Sequence, residues 1–315
     1  MNIVDSNFFQ NPSEERSHSH CGTIAESKEG TLIVAWYAYH EKEHTNAALV
    51  LPRKTKDKRE WEPSKFVLAP KNNSLGNPVL FQEPGGRLCL LFVVLKGSYW
   101  DSAVLNSIWS EDDGLSWSEP CQLFPDQGLI VRHPPLQLDN GSLLLPAYDE
   151  VNKNTILLKS HAPYDKWEKG QTFDGLDLIQ ADLVREKNGR LSLFFRPGSD
   201  PRCIWRSHLI DQSNSWTTPL RTLLKCPLSG IAAFAVGDNI AIVHNPTDEQ
   251  KRHPISISVT RNGGTDWETP ITLDNKNFEL SYPSFITGKD GSIHGVYTYG
   301  RKKIRYVHLP RENFI

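Results

Sequence analysis

The sequence predicts an all-β fold, a six-bladed β-propeller, on three observations. A turn glycine followed by an apolar strand recurs six times, a tryptophan follows five of these glycines in phase, and no long segment has a helical hydrophobic period. The glycines are Gly30, Gly86, Gly141, Gly189, Gly237 and Gly291, each opening a strand such as Thr31 to Trp36 or Arg190 to Phe195. They are 56, 55, 48, 48 and 54 residues apart. Trp61, Trp117, Trp167, Trp216 and Trp267 come 26 to 31 residues after the first five. A period near fifty residues, rich in β-formers and turn residues, is that of four-stranded propeller blades. All 315 residues are read as one domain. The sixth repeat has no tryptophan, and its outer strand is expected from the N-terminus, around Asn2 to Phe9, so that the ring closes without exposed sheet edges.

Two of the tryptophans end a sharper motif. Ser110-Glu-Asp112-Asp-Gly114-Leu-Ser-Trp117 fits Ser-x-Asp-x-Gly-x-x-Trp, and Thr260-Arg-Asn262-Gly-Gly264-Thr-Asp-Trp267 fits it with Thr for Ser and Asn for Asp. The residue types describe a hairpin turn. Asp or Asn accepts from backbone amides, Gly takes the positive φ, and Trp is expected to pack back on its own blade.

Composition narrows the function. A net charge of −2 supplies no global field for nucleic acid or an anionic membrane surface, and the basic runs Arg53 to Arg59 and Arg301 to Arg305 read as solvated loops. No apolar run reaches membrane-spanning length, and Met1 to Phe9 is too polar for a secretion signal, so the expectation is a cytoplasmic protein. Of the five cysteines, Cys89 reads as a core residue; Cys21, Cys121, Cys203 and Cys226 read as free thiols near loops. No two stand at metal-ligand spacing, and no glycine-rich nucleotide loop occurs, so neither metal nor cofactor is expected.

The repeat also locates a candidate site. Residues eight to ten places before each turn glycine begin the inner strands and share one mouth of the channel: His20, Asn77, Arg132, Gln180, Ser229 and Tyr282. The returning strands bring Glu41 or Glu43, Glu150, Arg196, His244 with Asn245, and Arg301 to the same mouth. Arg252 heads the strand that leads into the second motif. A polar, water-filled axis is one reading. Several arginines on a small mouth repel one another unless an anion lies between them, and that favours an acidic ligand held by Arg132, Arg196, Arg252 and Arg301, with Asn77, Glu150 and Asn245 nearby.

At these positions the chain resembles the sialidase superfamily, in particular the Asp-box (BNR) sialidase-like proteins, from about Ser17 to the C-terminus. The resemblance implies a glycoside hydrolase of the exo-sialidase kind. In it the Ser281-Tyr282-Pro-Ser-Phe285 segment supplies a tyrosine nucleophile, while Arg252 and Arg196 hold the substrate carboxylate. Three positions depart from the pattern. His18-Ser-His20-Cys-Gly-Thr-Ile24 replaces the segment that carries the first arginine, so His20 stands in its place. Gln180 stands where a glutamate would activate the tyrosine, and glutamine cannot act as a base. The acid/base loop reads Tyr39-His-Glu41-Lys-Glu43-His44, in which Glu43 or Glu41 replaces the usual aspartate or is plain loop charge. The chain is also similar in outline to propeller enzymes that act on uronate glycans, in which case Arg132 would neutralise the uronate carboxylate, His20 or Tyr282 would remove the C5 proton and the other would protonate the leaving oxygen. His20 reads equally well as a structural histidine. Loss of the base leaves a third possibility, a carbohydrate-binding propeller without turnover. The partner in every case is an acidic mono- or oligosaccharide.

Overall fold

The computed structural model describes residues 1–210 and 215–314. Six antiparallel sheets are arranged as six blades, and among the described residues no α-helix occurs. Blade I runs from its inner strand His18–Glu26 through Leu32–Tyr39 and Ala48–Leu51 to Lys65–Leu68. Blade II begins with Ser74–Gln82, blade III with Leu129–Val131, blade IV with Leu178–Arg185, blade V with Ala232–Val236 and blade VI with Leu280–Thr287. The outer strand of blade VI is the N-terminal segment Asp5–Phe9, which pairs with Lys303–Leu309 from Asp5↔His308 to Phe9↔Ile304. First and last segments thus close the ring with backbone hydrogen bonds, as the missing strand of the sixth repeat requires.

Each turn glycine lies between the first and second strands of its blade with φ between 58° and 95°. That region is costly for any side chain with a Cβ, which is why glycine recurs there. The buried apolar residues divide into six clusters, and each cluster joins two neighbouring blades. Because side chains alternate along a strand, each strand feeds both seams: Leu80 and Leu90 face blade I, while Val79 and Leu91 face blade III.

The repeating tryptophans sit in these seams, and three of them reach across to aromatic rings of the preceding blade. Trp61 of blade I meets Phe9 and Tyr306 of blade VI edge-on, with ring centroids 4.8 and 5.0 Å away. Trp216 of blade IV meets Phe173 of blade III, and Trp267 of blade V meets Phe194 of blade IV. The seam between blades V and VI has no such tryptophan. Phe314, from the C-terminal turn Arg311–Phe314, is buried there against Phe234.

Both motif turns have the expected hydrogen bonds. Ser110 Oγ accepts from Gly114 N (2.8 Å) and Asp112 Oδ1 from Ser116 N (2.8 Å); Thr260 Oγ1 and Asn262 Oδ1 repeat this with Gly264 N (2.9 Å) and Asp266 N (3.0 Å). Four details differ from the sequence reading. Arg53 is buried, 3.5 Å from the Asp113 carboxylate, instead of lying in a solvated loop, and Arg301 lines a cavity. Cys21 and Cys226 are buried rather than loop thiols. The desolvated interior raises both thiol pKa values and keeps the protons on.

Candidate functional site

The inner strands are irregular at one end only. In blades I, II, IV and VI the pairing register slips between His20 and Thr23, Gly76 and Val79, Ile179 and Asp182, and Ser281 and Ser284. At each slip one non-glycine residue is left-handed: Cys21 (φ 57°), Asn77 (45°), Gln180 (50°) and Tyr282 (51°). A bulge of this kind turns a side chain away from the pleat. Proline follows two of these residues, Pro78 and Pro283, and a missing N–H is tolerated at a bulge. The register also corrects the sequence reading. The blade I counterpart of Asn77, Gln180 and Tyr282 is Cys21, with His20 one place earlier.

The bulges open onto a cavity of about 250 Å³ at one mouth of the channel. Of the residues read from sequence, His20, Glu43, Asn77, Glu150, Gln180, Arg196, Arg252, Tyr282 and Arg301 line it. Arg196 Nη1 reaches the Tyr282 phenol oxygen at 3.4 Å, and the Arg252 guanidinium lies 5.5 Å from the ring centroid. Arg196 also donates to Gln180 Oε1 (2.8 Å) and to Leu228 O (2.8 Å), which fixes its fork. Arg252 donates to Glu279 Oε1 (3.2 Å) and Leu228 O (3.2 Å). Arg301 donates to Glu279 Oε2 (2.7 Å) and Glu43 Oε2 (2.9 Å). Three guanidiniums from blades IV, V and VI are thus held in fixed positions on the wall of the cavity that Tyr282 lines, two of them beside Tyr282 itself.

Burial keeps His20 uncharged. Loss of solvent is the main cause, reinforced by the Arg301, Arg252, Arg132 and Arg196 guanidiniums, and together they hold its pKa well below the usual 6.5. Its Nδ1 shares a hydrogen bond with Thr298 Oγ1 (3.0 Å), and its ring meets that of Tyr282 with centroids 4.5 Å apart. Glu43 Oε2 also accepts from the Tyr37 hydroxyl (3.1 Å). Glu41, its alternative, is exposed beside His40 and does not line the cavity. Gln180 Nε2 and Asn77 Nδ2 both donate to the Tyr148 hydroxyl, at 3.2 and 3.1 Å.

Four candidates lie behind the wall. Arg132 is 1% exposed, and its guanidinium donates to the carbonyls of Gly22, Tyr282 and Pro283 at 2.8–3.2 Å. It ties the Tyr282 bulge down from below rather than meeting a ligand. Asn245 Nδ2 is used by the carbonyls of Pro254 and Leu280. His244 is held between Lys225 O and Ser258 Oγ, and Ser229 is buried off the cavity. Blade V has no bulge in its inner strand, so its polar residues are not turned into the mouth.

The sequence reading missed Tyr37, Tyr148, Trp100, Lys153, Asp177 and Gly198 on the wall, and Glu279 just behind it. A signal for two of them was present. Tyr37, Tyr148 and Arg196 each lie seven residues after a turn glycine, at the same level of the second strand.

The model of the BNR repeat-like domain family matches residues 30–295. The chain belongs to this family. No curated protein matches this BNR-repeat chain in sequence. Solved structures match it in shape. The Hadza microbial sialidase Hz136 superposes with a TM-score of 0.82 at 16% identity over 98% of this chain and 69% of the other. A protein of unknown function from Dyadobacter fermentans gives 0.80 at 16% identity over 98% of both chains. The intramolecular trans-sialidase from Ruminococcus gnavus, in complex with oseltamivir carboxylate, gives 0.80 at 14% identity over 100% and 99%. At these identities the likeness is one of fold: a six-bladed propeller of the sialidase type.

Proposed function

We propose that this BNR-repeat protein binds an acidic sugar at the end of a glycan and hydrolyses its glycosidic bond. The observation that carries the reading is the set of three guanidiniums, Arg196, Arg252 and Arg301, fixed on the wall of one cavity with the Tyr282 phenol. Planar forks form charge-assisted pairs with a carboxylate, and a ligand carboxylate would add to the Glu279 and Glu43 carboxylates that Arg252 and Arg301 already meet. A carboxylate held there on the anomeric carbon would bring that carbon to Tyr282. The phenol oxygen, losing its proton, would then form the bond to carbon as the glycosidic C–O bond breaks, and water would next displace the phenol oxygen to release the free sugar. The departing oxygen takes its electron pair and a proton, which Glu43, the carboxyl group on the blade I side, would deliver only when itself protonated. A neutral phenol approaches an anionic sugar without the repulsion a carboxylate nucleophile would meet. Gln180 cannot accept the phenol proton. His20, uncharged and packed on the Tyr282 ring, is the base-type group beside it.

A second reading, binding without turnover, is favoured by Gln180, which fixes Arg196 and Tyr148 instead of acting on a proton. The purified protein, given aryl glycosides of acidic keto sugars and uronate oligosaccharides, separates these readings. Released phenol, abolished by Tyr282→Phe, is the expected outcome. Binding in calorimetry with no product supports the second reading. New ultraviolet absorbance from an unsaturated uronate would mark a lyase and overturn the hydrolytic reading.

A further inference from the structure

One hydroxyl on the cavity wall is held by donors alone. Tyr148 stands in the second strand of blade III, Leu143–Asp149, and lines the cavity together with Asn77 of blade II and Gln180 of blade IV. Its ring belongs to the apolar seam between blades II and III, which fixes the phenol. Its oxygen takes Asn77 Nδ2 at 3.1 Å and Gln180 Nε2 at 3.2 Å. Neither amide gains by being turned round. Gln180 keeps its oxygen toward Arg196 Nη1 (2.8 Å), a group that only donates. Asn77 keeps its NH2 toward Val131 O (3.4 Å), a group that only accepts, and its oxygen toward the Cys21 thiol (3.7 Å).

A phenol oxygen that receives two N–H donors has its own proton left to give. Among the described residues no acceptor takes that proton. Burial, and after it the nearby Glu150 carboxylate, push the Tyr148 pKa up, so the proton stays on. A desolvated O–H without an acceptor is unfavourable, and an acceptor from a ligand removes that cost. The identity of residue 180 decides the direction. A glutamate there would accept the Tyr148 proton and draw it into the wall. The glutamine instead donates and sends the proton away from itself, and Asn77 does the same from the blade II side. Two left-handed residues, Asn77 and Gln180, thus act as a pair on one hydroxyl.

We propose that Tyr148 is a ligand-binding residue whose hydroxyl, oriented by Asn77 and Gln180, donates to an uncharged acceptor oxygen of the sugar at the blade III side of the cavity. This rests on the reading given above, in which the arginines take the carboxylate. The cavity then recognises two features of one ligand, an acid and a neutral oxygen. A sugar that presents an ammonium or a methylene to Tyr148 is selected against.

Calorimetry with an acidic keto monosaccharide tests this. Tyr148→Phe should weaken binding about ten-fold, the size of one buried hydrogen bond. A tyrosine fluorinated beside its hydroxyl, placed at residue 148, is a stronger acid and a stronger donor, and should bind the sugar more tightly. A hydroxyl with a purely structural role would not respond in that direction. In a Gln180→Glu background, where the carboxylate takes the proton, Tyr148→Phe should cost about two-fold at most. Thermal melts check that each variant is folded. If Tyr148→Phe binds the sugar as the wild type does, or the fluorinated protein binds it no more tightly, the inference about Tyr148 is wrong while the arginine reading stands. If the wild type binds no acidic sugar, the arginine reading fails and this one with it.

Discussion

The two ends of the inner strands follow opposite rules. At one end the chain turns through a left-handed residue that is glycine in all six blades, where nothing but reversal of direction is asked of it. At the other end the left-handed position is filled by Cys21, Asn77, Gln180 and Tyr282, none of which adopts that backbone without cost. Within the inner strands, these left-handed non-glycine residues lie at the end where the cavity opens. Backbone strain that persists in a well-packed fold points to a use for the side chain it displays. In blades II, IV and VI that side chain is an amide or a phenol on the cavity wall; in blade I it is the buried Cys21 thiol, which meets Asn77 Oδ1 behind it.

The comparison can be tested first with two arginines of that end. Arg132 holds three carbonyls beneath the bulges, whereas Arg252 faces the cavity. Arg132→Ala leaves those acceptors buried and should destabilise the fold by roughly 3 kcal/mol or more. Arg252→Ala should leave the denaturation midpoint almost unchanged while weakening binding of an acidic sugar about ten- to hundredfold, or roughly 1.5–3 kcal/mol. Urea unfolding and calorimetry on the two variants read both quantities. Similar stability losses in both would remove the distinction between support and site.

Acid should act on the buried imidazoles next. Burial holds His244 down to about 4, and His294 also to about 4, again chiefly through loss of solvent. Their unfolded pKa is near 6.5, so below that pH the unfolded chain binds more protons than the folded one. Their contribution is complete above pH 6.5 and is lost as pH falls toward 4, by up to about 1.4 kcal/mol per pH unit for each group. Thermal melts between pH 7 and 4 follow it. A midpoint rising on acidification through this window would contradict the neutral, desolvated state of these rings.

The smallest effect compares two substitutions at one bulge. Gln180→Gly and Gln180→Ala both remove the contacts to Arg196 and Tyr148, but only Ala keeps the cost of a left-handed Cβ. The glycine variant should therefore be the more stable by about 1 kcal/mol. Equal stability would mean that the backbone at residue 180 is not strained.

The same asymmetry explains what could be read from the sequence. Turn glycines are dictated by backbone geometry, so their period shows directly and gives six blades, the two motif turns and the closing strand Asp5–Phe9. Bulges are set by tertiary pairing, and only the prolines after Asn77 and Tyr282 hinted at them. In blade I the left-handed position equivalent to Asn77, Gln180 and Tyr282 falls on Cys21, while His20, one place earlier, is the residue that lines the cavity. Arg132 and Asn245 have the composition of ligand contacts but serve backbone carbonyls, a distinction no residue type reveals. Asp177 and Glu279 lie in connections whose course depends on the neighbouring blades. Tyr37 and Tyr148 were legible in principle, because they share the register of Arg196.

The central claim is that the mouth recognises a carboxylate. Its most direct test is calorimetric titration of the wild-type protein with an acidic keto monosaccharide and with the methyl ester of the same sugar, which keeps every other group. The account predicts that the acid binds, with an affinity that falls as salt is added, and that the ester binds at least ten-fold more weakly. Equal binding of acid and ester would contradict it, leaving Arg196, Arg252 and Arg301 as scaffold for the phenol alone.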